Sequence, residues 1–275
     1  MVHIKEMEKQ IPTFKEAFQL LELPEYLNGT EIRYELNIVV SKKEKAILIE
    51  TCRRLQDLYD EICAARFALI TSCQMKYPEY LSADTDNRGH LWIQSQFVNT
   101  AILWYNATYD ILLQIVWIYY KLYKRWKETL VLNDIEEVLR HCKKKDVIEL
   151  VPDVQIKEGL KSFHAKIHLT NIKTKYSNQN VAEWANTLKH RRMIEYEELN
   201  KRKHSTCFIT LSRLPEIVVK GQTPLIENPQ EEIKTLYNSN ETLKIIRMTD
   251  VINVLFEYHK DICQLSKLVF DKIEF

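Results

Sequence analysis

An all-α protein, an up-and-down bundle of long helices, is the fold class this chain predicts, on three observations. Among 275 residues there are four glycines and seven prolines, too few turn-forming residues for a many-stranded sandwich or barrel. Apolar residues recur at i, i+3, i+4 and i+7 over long windows with few breakers, the period of a helix that buries one face. The length can bury one substantial core, so residues 1–275 read as a single domain. The one departure is a candidate small β-hairpin near residues 205–220.

Residues 11–21 support a short first helix that carries Phe14, Ala17, Phe18 and Leu21 as one stripe and stops near Pro24. Ser41 is a good N-cap for a long amphipathic helix through Ile47, Leu48, Leu55, Leu58, Tyr59, Ile62 and Ala65 to about Cys73, ahead of Pro78. Residues 81–89, with Ser82, Asp84, Asp86 and Asn87, read as a loop. The strongest helix follows over residues 91–126.

Within that helix residues 101–120 are apolar enough to be tested as a membrane span. They fail, because Asn106, Asp110 and Gln114 interrupt the run and an aspartate at a bilayer centre costs roughly 2.5 to 3.5 kcal/mol. A buried helix of a bundle is the better reading, so no membrane partner is expected. At about 100° per residue Asn99, Asn106, Asp110 and Gln114 share one sector, and the helix has a single polar seam. The seam is either the strip that reaches water or the wall of a site. If Asp110 is covered it needs a cation or several donors, and Lys189, His190 or Arg191 could serve.

A weaker helix is expected over residues 134–142, then mixed sequence containing Pro152, then a helical stretch over residues 154–163. His164 and His168 have the H-x-x-x-H spacing of a zinc site, but Ala165 stands where a zinc protease carries glutamate, so no metal is assigned. Residues 177–180 (Ser-Asn-Gln-Asn) cap a helix whose Val181, Trp184, Ala185 and Leu188 again form one stripe. Residues 206–211 and 216–220 make up the candidate hairpin, residues 224–240 are irregular or briefly helical, and Thr249 caps a last helix with Ile252, Leu255, Phe256, Ile262, Leu265 and Val269 inside.

Composition excludes several functions. The scarce glycines leave no phosphate loop and no dinucleotide-binding loop, which disfavours a kinase, a P-loop NTPase or a Rossmann enzyme, and no cofactor is implied. With 39 basic and 38 acidic residues no global field announces a partner, so any basic site must be local. Six cysteines without a C-x-x-C pair fit neither a disulfide framework nor a zinc pattern but reduced thiols. The N-terminus has no apolar stretch typical of a secretory signal, and a cytoplasmic location is expected.

Polar chemistry concentrates in residues 185–192, Ala-Asn-Thr-Leu-Lys-His-Arg-Arg. On a helix Asn186 and His190 lie one above the other with Lys189 beside them, a set able to grip a phosphate and move a proton. The competing reading is a solvated face that offsets the helix dipole.

Residues 104–117 together with 186–191 (Asn-Thr-Leu-Lys-His-Arg) resemble a prokaryotic branch of the HEPN superfamily of helical nucleotide-binding domains. The resemblance covers about residues 40–200. It implies a bundle of four or five helices, often dimeric, with a phosphate-handling site between helices or at the dimer cleft. Many HEPN proteins are metal-independent ribonucleases of toxin–antitoxin or antiviral systems, and their motif is an arginine, four to six intervening residues and a histidine. Here His190 matches the histidine and Asn186 the polar residue after the arginine, while Ala185 occupies the arginine position. By this resemblance Asn186, Lys189 and His190 are the candidate catalytic set and Lys189, Arg191 and Arg192 the phosphate-binding set. Asn106, Asp110 and Gln114 would form the opposite wall. A lysine is a weaker phosphate grip than a planar arginine fork.

Three functions follow as expectations. The first is a module with a degenerate motif that binds RNA, a nucleotide or a partner protein, as a homodimer or with an antitoxin. The second is a metal-independent endoribonuclease in which His190 is base or acid. The third is a helical scaffold without a site.

Overall fold

The computed structural model describes residues 11–27, 42–74, 76–77, 87–126, 134–168, 172–174, 177–190, 194–200 and 245–274. They form an all-α, bundle-like fold, and two long helices are its frame. Helix α1 is Phe14–Leu20, α2 Lys42–Ser72 and α3 Asn87–Tyr119. Short helices α4 (Leu122–Trp126), α5 (Ile135–Arg140) and α6 (Lys144–Leu150) follow, then α7 (Val154–His168), α8 (Val181–His190), α9 (Glu197–Asn200) and α10 (Met248–Phe270).

Helices α2 and α3 pack along each other because their stripes are apolar where they meet. Leu55, Leu58, Ile62 and Ala65 of α2, and Val98, Ala101, Ile102, Tyr105 and Leu112 of α3, are wholly buried. The join is fixed by Gln94 Nε2 donating to the Ser72 carbonyl at 2.6 Å, and by Tyr77, whose hydroxyl donates to the Thr71 carbonyl at 2.8 Å while its ring stacks on Phe97 of α3. Helix α3 over Gly89–Tyr119 is long and apolar enough to cross a membrane, yet 61% of its most apolar window is buried inside the fold. Helices α8 and α10 both pack on α3, and α7 packs on α10. At Gly159 the approach of α7 to α10 is so close that a β-carbon would lie 2.9 Å from Leu268 Cδ2.

Three elements depart from the sequence-based expectations. The helix expected over residues 91–126 breaks after Tyr119, with Lys121 in the left-handed region at φ 53°. The corner brings Leu122 and Tyr123 into the core, at 0% and 1% exposure, a packing demand that local periodicity does not register. Thr249 does not cap α10. It lies buried in the first turn, and the Glu198 carboxylate, fifty positions earlier, accepts from the Met248 N–H at 3.0 and 3.1 Å. Of residues 177–180 Asn180 is the cap, its Oδ1 accepting from the Glu183 N–H at 2.9 Å, while Ser177–Gln179 is a strand, β2, paired antiparallel with β1 (Ile172–Thr174). A second pair is parallel, β3 (Glu195–Tyr196) with β4 (Ile245–Ile246). The hairpin expected near residues 205–220 and the segment 224–240 lie outside the described residues.

The N-terminal segment is strapped across the bundle. Thr13 and Glu16 form a capping box on α1, and the Arg66 guanidinium donates to the Leu21 carbonyl and, at 3.1 Å, to the Phe18 carbonyl. Further along, His259 of α10 accepts from the Tyr105 hydroxyl on Nδ1 at 2.9 Å, and its Nε2 meets the Glu22 carbonyl at 2.8 Å. A carbonyl only accepts, so Nε2 carries a proton, and the ring is neutral at physiological pH with Nδ1 as the acceptor. Burial depresses its pKa to about 4.

Candidate functional site

Helix α8 is seated by its apolar stripe: Val181, Trp184 and Ala185 are 1%, 3% and 1% exposed, pressed onto α3 and α7. A 3.6-residue period then forces the polar positions outward, so Asn186, Lys189 and His190 are exposed at the C-terminal end. Ala185 is buried against the core and presents no polar group at this edge. Arg191 and Arg192 lie outside the described residues.

The seam of α3 is not uniform. Asn99 is buried, with Oδ1 accepting from the Tyr196 hydroxyl at 2.8 Å, so the segment after α8 roofs that end. Asn106 and Gln114 are half-buried, and Asp110 is exposed. Burial of its surroundings raises the Asp110 pKa above the usual carboxylate value, and the nearby charges of Lys189 and then Lys144 oppose the rise. Helix α8 therefore places Lys189 within electrostatic reach of Asp110, although neither lysine forms an ion pair with it among the described residues. For Asn186 and His190 no hydrogen bond ties them to Asn106, Asp110 or Gln114.

Lys144 is a residue that sequence reasoning passed over. It opens α6, which packs on α3, and this seven-residue helix with Val147 as its one fully buried anchor is too short to show a period. Next to it, burial and the charges of Asp110 and Asp146 push the Cys142 thiol up to about 12, so it stays protonated. Tyr109 is 5% exposed with a hydroxyl that has no hydrogen-bond partner among the described residues, and burial together with the charge of Asp110 raises its pKa.

Chemically, α6 and α8 each pack on α3 and carry two ammonium groups whose charges act on the Asp110 carboxylate, and α8 adds an exposed amide and imidazole. Such groups can hold an anion and exchange a proton. Among the described residues no group of three or more His, Cys, Asp or Glu converges as metal ligands would. His164 of the zinc-like spacing is half-buried on α7. The cysteines Cys52, Cys63, Cys73, Cys142 and Cys263 are free. Comparisons with protein-family models, with curated proteins and with solved structures return no match.

Proposed function

We propose that the protein is a HEPN-like helical module that binds the phosphates of RNA or of a nucleotide at the exposed edge of α8 without cleaving them. Its setting in this reading is a prokaryotic defence or toxin–antitoxin system in the cytoplasm, where it acts as a homodimer or with an antitoxin partner. The observation that carries the reading is the seating of α8. The same helix buries Trp184 and Ala185 and leaves Asn186, Lys189 and His190 free for a ligand, with Lys189 electrostatically coupled to Asp110 of α3. Absence of cleavage follows from Ala185. A guanidinium fork would grip the charge that builds on a phosphorane, and that position supplies a methyl group facing the core.

Fluorescence anisotropy with a labelled single-stranded RNA tests the reading. Lys189→Ala is expected to weaken binding and to lower the slope of log affinity against log salt by about one. Binding that is indifferent to Lys189 and to salt refutes a phosphate-directed site. One observation favours a second reading, metal-independent cleavage: His190 is exposed and has no hydrogen bond among the described residues, which suits a general base. RNA degraded without metal by the wild type and spared by His190→Ala would replace the silent module with a ribonuclease.

A further inference from the structure

The N-terminal segment is joined to the bundle by a different chemistry from the one that joins α2 to α3. Those two helices meet through buried apolar side chains, whereas the segment is tied down by polar groups. The Phe18 and Leu21 carbonyls accept from Arg66 of α2, and the Glu22 carbonyl accepts from His259 Nε2 of α10. The Tyr26 hydroxyl donates to the Cys263 carbonyl and lies 2.7 Å from Ser266 Oγ, with the Lys267 ammonium 5.3 Å from the centre of its ring. His259, Cys263 and Ser266 fall at i, i+4 and i+7, so one face of α10 carries them all. Water can replace the segment's half of each bond at modest net cost, and His259 keeps Tyr105 when Glu22 leaves. The apolar share of the contact is small. Ala17, Leu21 and Leu27 are wholly buried, but Phe14, Phe18 and Leu20 are 44%, 57% and 50% exposed. A segment with few buried apolar contacts belongs to the part of a fold that opens first.

We propose that residues 11–27 are a releasable strap: they lift from α2 and α10 as a unit while the bundle stays folded, and lifting uncovers the polar face of α10 with Cys263 beside His259. Arg66 and Tyr26 are the two clasps, one closing on α2 and the other on α10. With the strap closed, Cys263 Sγ lies 3.8 Å from His259 Nε2, and burial, followed by the charge of Cys63, pushes its thiol up to about 12. Thiols react as thiolates, so Cys263 is silent under the closed strap. Water admitted by opening returns it toward its ordinary acidity.

Alkylation of the full-length protein by iodoacetamide reads the opening: the Cys263 sulfur displaces iodide, its proton passes to solvent, and mass spectrometry locates the modified sites. Cys73, 2% exposed and directed at the Leu69 carbonyl, needs the bundle itself to open and is the control. Cys263 is expected to react at least about tenfold faster than Cys73. Tyr26→Phe and Arg66→Gln are each expected to speed Cys263 by about a further tenfold, the effect of losing one hydrogen bond, and to leave Cys73 unchanged. Equal rates for the two thiols in the wild type overturn the strap, as do clasp variants that leave Cys263 unchanged or accelerate both thiols together. Wild-type Cys263 reacting as fast as in the urea-unfolded chain shows that nothing covers it and also overturns the strap. Hydrogen exchange of the wild type gives a readout that needs no variant. Amides of residues 14–27 should exchange well before those of α3, and exchange of both only through global unfolding refutes an independent strap.

Discussion

His259 and His190 stand on helices that both pack against α3, and their surroundings differ in every other respect. His259 is 2% exposed, with both ring nitrogens engaged. His190 is exposed at the end of α8 and has no hydrogen bond among the described residues. The first ring is held neutral by what surrounds it, because charging it would need a desolvated cation beside Arg66, which already opposes protonation. It is a joint tying the N-terminal segment, α3 and α10 together. The second ring stabilises nothing visible and is reachable from solvent. Imidazole chemistry becomes available for function where the fold leaves it unused, and the contrast between these residues shows it.

The largest test of that contrast is substitution. His259→Ala leaves the buried Tyr105 hydroxyl without its partner, frees the Glu22 carbonyl from α10 and opens a cavity, for an expected loss of about 3 kcal/mol. His190→Ala should cost less than about 0.5 kcal/mol as a surface change. Urea unfolding of the two variants measures both, and equal losses would break the comparison. The pH dependence is comparable in size. His259 has a folded pKa of about 4, below its unfolded value of about 6.5, so the unfolded chain binds the proton more tightly. Its contribution is fully present above about pH 6.5 and is lost as the pH falls through about 4, by about 3 kcal/mol. Unfolding of the wild type against His259→Gln across that range isolates it, and identical pH profiles would remove His259 from the account.

Smaller effects sharpen the comparison at the α8 edge. Asp110 has a raised pKa in the fold, so above the unfolded carboxylate value its charge costs stability, and the cost disappears as the pH falls. Asp110→Asn should therefore raise the melting temperature at neutral pH. A lower melting temperature would make Asp110 a structural group like His259. Gly159→Ala should have the smallest effect. The gain of about 1 kcal/mol in helix propensity is offset by displacing the ends of Leu265 and Leu268, leaving a net change within about 1 kcal/mol.

Particular residues show how far the sequence could be read. The stripe of Val181, Trp184, Ala185 and Leu188 predicts both the helix and the face it buries, because a local period is enough to choose a face. The same holds for the long helices α2 and α3, whereas in α1 only Ala17 and Leu21 of the expected stripe are buried and Phe14 and Phe18 stay exposed. Lys121 and Glu198 were not legible. The first turns a helix because Leu122 and Tyr123 find a place in the core, and the second caps a helix fifty positions further along the chain. Lys144 was hidden for a related reason, since it matters only through the neighbour that α6 brings to it.

What the sequence by itself determined is the class of fold, the run of long helices and the apolar face by which α8 is seated. Each of these follows from spacing within about 20 residues, where the helical period dominates. Only the tertiary structure decided that α8 sits on α3 so that Lys189 acts on Asp110. It also decided that Asn99 is roofed by Tyr196 while Asp110 stays open, and that Lys144 joins them from a third helix. Such juxtapositions depend on how separate helices bury their stripes against one another, and spacing along the chain carries no record of that choice.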